Sequence, residues 1–95
     1  PSFPGGNKAM SSFIAENINY PELAREMGEQ GIIYISYTVE AGGTLSNFRI
    51  RKGVSMSLDQ EALRVVKLMP KWIPGIDHGR NANTEFTIPI HFRLG

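Results

Sequence analysis

The stretch Thr84 to Leu94, TEFTIPIHFRL, restricts the fold more than any other part of the chain. Phe86, Ile88, Ile90, Phe92 and Leu94 fall on one face, and Glu85, Thr87, Pro89, His91 and Arg93 on the other. This is the period-two pattern of a strand with one buried and one solvated side. Pro89 adds a second restriction. Proline has no N–H to donate to a ladder, so a strand that holds one in mid-run belongs at the edge of its sheet. Such an edge presents unpaired N–H and C=O groups, which a protein either blunts or uses to take up an extended segment. From the residues alone three occupants are open: a terminal segment of a longer chain, a second copy, or an extended peptide.

The upstream residues supply the rest of the sheet and its cover. Met10, Phe13, Ile14 and Ile18 make one apolar stripe, so a first helix is expected from about Lys8 to Asn17, with Asn7 as its N-cap. Tyr20-Pro21 interrupts it and opens a short helix, Glu22 to Met27, with Gly28 at the C′ position. Gly31 to Glu40 alternates Ile33, Ile35, Tyr37 and Val39 inward, and Ala41-Gly42-Gly43 turns the chain back into a strand from Thr44 to Gly53. In that strand the inward positions change phase between Leu45 and the pair Phe48 and Ile50, which calls for a β-bulge near Ser46-Asn47. Ser57-Leu58-Asp59-Gln60 has the form of a capping box, and Leu58, Ala62, Val65, Val66 and Met69 follow at helical spacing until Pro70. Trp72 is expected to seal one end of the core, and Asp77 to Asn83 to form a polar loop.

The order α, short α, β, β, α, β implies an α+β two-layer sandwich, a three-stranded antiparallel sheet with helices packed on one face. With the first strand in the middle, order 2-1-3, the crossover stays right-handed and the last strand lies at an edge, as Pro89 requires. The 95 residues fit a single domain, 1–95, expected to be excised from a longer protein because Pro1 opens the chain and no signal peptide precedes the fold.

The sequence holds little that could carry chemistry. With no cysteine there is neither thiolate catalysis nor a disulfide, and a net charge of +1 gives no bulk attraction for nucleic acid. His78 and His91 have no ligand-spaced partner, the serines lie in no nucleophile-elbow pattern, and Asp59 and Glu61 read as carboxylates of a helix's first turn. Arg49, Arg51 and Arg93 with Tyr34 make a solvated sheet face balanced by Glu40 and Glu85, not a stacking platform. No enzyme, cofactor or metal site is expected.

The chain resembles the C-terminal domain of TonB, the periplasmic energy transducer, in the branch with an extra N-terminal helix. The matching residues run in order through nearly the whole sequence. They are Phe3-Pro4-Gly5-Gly6, Tyr20-Pro21, Ala24, Gly28, Gln30-Gly31, Val39, Gly42-Gly43, Asp59, Glu61-Ala62, Arg64, Met69-Pro70-Lys71-Trp72, Pro74-Gly75, Pro89-Ile90 and Phe92. The resemblance implies an inner-membrane anchor, a Pro-rich linker across the periplasm and inner-membrane proton-channel partners, all lying outside this chain. It also implies docking on the TonB box of outer-membrane transporters, which adds as a parallel strand to the last strand and receives work from the proton motive force. The peptide-binding residues it implies are Thr84, Glu85, Phe86, Thr87, Ile88, Ile90, His91 and Phe92, with Tyr20 and Pro21 beside them. The alternatives are a TolA-like periplasmic scaffold, a TonB-like domain fused to a membrane sensor protein, and a homodimeric structural domain pairing through the same strand.

Overall fold

The fold is given by a computed structural model that describes the backbone of residues 1–77 and 80–95 and the side chains outside 75–82. Its elements are α1 (Gly6–Asn17), α2 (Glu22–Glu26), β1 (Gly31–Val39), β2 (Leu45–Lys52), α3 (Met56–Lys67), β3 (Gly75–Asp77), β4 (Arg80–Ala82) and β5 (Thr84–Phe92). β2, β1 and β5 form a sheet in that order, antiparallel throughout, with helices packed on one face. The expected α+β sandwich with order 2-1-3 is therefore the observed one.

The core is the sum of two periodicities. Ile33, Ile35, Tyr37 and Val39 of β1 and Ile88, Ile90 and Phe92 of β5 are buried on the inner face. Leu58, Ala62, Val65 and Val66 are the buried face of α3. Phe3 packs edge-on to Trp72, with ring centroids 6.2 Å apart, and Trp72 is buried against Tyr37 and Phe86, closing the core at that end as expected. α1 adds a half-buried layer through Met10, Phe13 and Ile14.

The helix ends show where local chemistry diverged from expectation. α1 starts at Gly6 with Gly5 as its N-cap and no side-chain cap, so Asn7 lies inside the first turn and not at the cap. Gly28, at φ 70°, ends α2 as expected. Its N–H and that of Glu29 bond the carbonyls of Arg25 and Ala24, the paired bonds of a Schellman motif that needs a left-handed residue. α3 starts two residues earlier than the capping-box pattern implied. Ser55, in an extended conformation, accepts from Leu58 N–H at 3.3 Å, and Asp59 reaches back to Val54 N–H at 2.8 Å. Ser57 instead donates to Glu29 Oε1 at 3.3 Å, tying α3 to the end of α2.

β2 carries the expected bulge: Ser36 pairs with Arg49 and Thr38 with Ser46, leaving Asn47 at φ 55° within an extra residue. A second register shift, at Arg51, was not foreseen. Ile50, opposite the buried Ile35 and so on the expected face, is nonetheless 40% exposed, because a bulged edge strand bends away from the layer that would cover it. The polar loop expected at Asp77 to Asn83 is in part an antiparallel β3–β4 pair outside the main sheet. His78, expected in that loop, lies outside the described residues.

Candidate functional site

β5 pairs with β1 without a register break, from Thr84↔Val39 to Phe92↔Gly31. Across the hairpin, Glu40 N–H bonds Thr44 O at 2.8 Å. Main-chain groups alternate in direction along a strand, so even-numbered residues of β1 address β2 and odd-numbered residues address β5. In β5 the even-numbered residues, Phe86, Ile88, Ile90 and Phe92, therefore turn their N–H and C=O toward β1. Glu85, Thr87, Pro89 and His91 turn theirs away from the sheet. Among the described residues no strand pairs with that outer side.

This geometry sorts the residues read from the sequence. Phe86, Ile88, Ile90 and Phe92 give their side chains to the core and their main-chain groups to β1, so they support the edge without facing it. Thr84 sits at the start of the strand opposite Val39. The outward N–H donors are those of Glu85, Thr87 and His91, and the acceptors are their carbonyls and that of Pro89. Pro89 is absent from the sequence-derived set, although its carbonyl completes the row and its ring leaves one gap among the donors. The pairing partner of Glu40 fixes which parity faces outward, and Pro89 is consistent with it, since a residue without an N–H cannot take a donor position in the ladder to β1.

Tyr20 comes to the inner side of the same strand, while Pro21 sits at the N-cap of α2, its carbonyl accepting from Arg25 N–H. The Tyr20 ring meets Phe92 edge-on, centroids 5.3 Å apart, its hydroxyl donates to the Glu29 carbonyl, and Arg25 lies over its face at 5.5 Å. The chain just before Tyr20 is clamped from α3. Glu61 accepts from Asn19 N–H at 2.6 Å and from Arg64, while Arg64 donates to Asn17 O at 2.8 Å. The Arg64 hydrogen bond, with a smaller share from Asn19 N–H, holds the Glu61 carboxyl below the usual carboxylate range. Sequence reading placed Glu61 in the first turn of a helix as a dipole partner. With α3 starting at Met56 it lies beyond that turn, and its real role depends on a contact 42 residues away in the chain.

On the outer face Arg51 donates to Ser36 Oγ at 2.8 Å and lies 3.7 Å from Glu85. Tyr34 is partly exposed beside it. Among the described residues no group of histidine, aspartate and glutamate could hold a metal ion, and no helix is long and apolar enough to cross a membrane.

Comparison with known proteins agrees with this architecture. Residues 16–94 match the family described as Gram-negative bacterial TonB protein C-terminal. Protein TonB of Pasteurella multocida is 30% identical over 93 residues, an alignment covering 90% of this chain and 33% of that protein, so the chain spans about a third of the relative's length. Two solution structures of the Helicobacter pylori TonB C-terminal domain share the fold at 23% identity. One has a TM-score of 0.70, covering 90% of this chain and 77% of that one, and the other has 0.67 with 90% of each covered.

Proposed function

The chain belongs to the family of Gram-negative TonB protein C-terminal domains, and from that premise we propose that it is the periplasmic docking domain of a TonB-type energy transducer. It takes up the TonB box of an outer-membrane transporter as a parallel strand on β5 and passes on work drawn from the proton motive force. The role is binding and transmission, with no catalysis. The observation that carries this reading is the open outer side of β5, where Glu85, Thr87 and His91 offer donors and Pro89 adds a carbonyl. The Glu61–Arg64 clamp supports it by holding Asn17 and Asn19 just before Tyr20, whose ring packs on Phe92 at the end of that strand.

Magnitudes make the link a transient one. Each main-chain bond is worth about 1 kcal/mol net, against an association cost of roughly 4–15 kcal/mol. Few donors on a short edge then give a dissociation constant nearer micromolar than nanomolar. Titration of TonB-box peptides into labelled protein, followed by amide NMR, tests the reading. The expected result is saturable shifts at Glu85, Thr87 and His91 with a smaller response at Tyr20. Unmoved β5 resonances at millimolar peptide sink it, as does a stable dimer in light scattering that excludes peptide.

A further inference from the structure

A groove runs alongside the open edge, between Ser11, Ile14, Ala15 and Ile18 of α1 and Pro89, Ile90 and His91 of β5. It has a volume of about 420 Å³. Ile14 and Ile18 are half-buried, and Ser11 and Ala15 face outward at its rim. Resting on the strand-addition reading above, we propose that this groove gives the edge its sequence selectivity, by burying an uncharged aliphatic side chain of the added strand at the level of Pro89.

The occupant is an extended chain because one wall of the groove is the unpaired side of a strand. The side chains of an added strand alternate between faces, as those of β5 do, so every second one points toward the helical layer and into the space beside α1. Main-chain pairing by itself does not distinguish sequences. At Pro89 that pairing fails, since the ring supplies no donor for the carbonyl that an added strand brings there. The groove lies at the same level. Backbone recognition is therefore weakest where side-chain burial is available, and affinity at that position depends on what the side chain is. An aliphatic group removes its own surface and that of Ile14 and Ile18 from water. A carboxylate or ammonium group loses hydration against a lining with no fixed counter-charge.

The test uses two capped heptapeptides, one alternating serine with valine and one with its central valine replaced by aspartate. Each is titrated by amide NMR into the wild-type protein and into Ala15→Lys, a change at the exposed rim near the C-terminal end of α1, where a cation suits the helix. The valine peptide is expected to bind about tenfold more tightly than the aspartate peptide. Ala15→Lys is expected to abolish that ratio by weakening the first and strengthening the second, with β1 and β2 amides unmoved. Ser11→Lys provides a second variant should the first disturb α1. Equal binding of both peptides, with β5 shifting, overturns the groove's role while leaving strand addition standing. No β5 response to either peptide overturns both. A second copy seated in the groove, seen as a dimer in sedimentation, also overturns the assignment.

Discussion

Tyr37 lies wholly in the core, its ring among Phe48, Trp72 and Phe86, yet its hydroxyl and the Trp72 indole Nε1 have no hydrogen-bond partner among the described residues. Burial pushes the phenol well above its ordinary pKa. An unsatisfied buried hydroxyl costs free energy that its removal returns, so Tyr37→Phe is expected to raise stability by up to about 1 kcal/mol, read as a higher urea midpoint. Gly43 is the opposite case. At φ 93° its carbonyl accepts from Trp72 N–H at 2.9 Å, and a Cβ there would run into the Trp72 backbone. Gly43→Ala should therefore cost at least about 2 kcal/mol in the same assay, combining backbone strain with displacement of Trp72. The sequence marks Gly43 as a turn residue and Trp72 as a core residue. It does not reveal that one is glycine so that the other can approach, because that contact joins segments distant along the chain.

At the scale of elements, the existence and type of the three helices and of β1, β2 and β5 were legible, whereas their termini and the short β3–β4 pair, where a polar loop was expected, were not. The stripes Met10–Ile14 and Leu58–Val66 and the alternations of β1 and β5 each place one face in the core, and burial enforces them. Caps are decided by single hydrogen bonds. Ser57 has the capping-box spacing, but Asp59 already satisfies Val54 N–H, and this places Ser55 at the cap. Ser55→Ala should accordingly cost about 1 kcal/mol and Ser57→Ala less than about 0.5 kcal/mol, a difference thermal unfolding can resolve. The Glu61 clamp has a pH signature. Its folded pKa is depressed below the ordinary 4.5, so the stability it contributes is present above that value and is lost as pH falls through the folded value. The gap in melting temperature between wild type and Glu61→Gln should thus be full at neutral pH and close as pH falls through the depressed folded pKa. A gap that persists in acid would show that the carboxylate charge is not what holds Asn19.

For the whole molecule, sheet order and the edge position of β5 followed from Pro89 and the connection rules, and the parity of the open edge, which the missing N–H of Pro89 favours, is fixed by Glu40 bonding Thr44. That parity makes a prediction. Thr87→Pro removes an outward N–H and leaves the ladder to β1 intact, so the protein should fold while its affinity for an added strand falls about fivefold. Ile88→Pro removes a donor to β1 and a buried side chain, and circular dichroism should report an unfolded chain. The first residues carry a mechanical consequence. Ser2 and Ile73 exchange main-chain bonds of 2.9 and 2.8 Å, and Phe3 is buried just behind them. Tension applied at Pro1 is taken first by this clasp, and Trp72, bonded to Gly43, carries it to the β1–β2 turn before α1 can peel away. A tug on the leading end therefore reaches the sheet at the end where β5 begins.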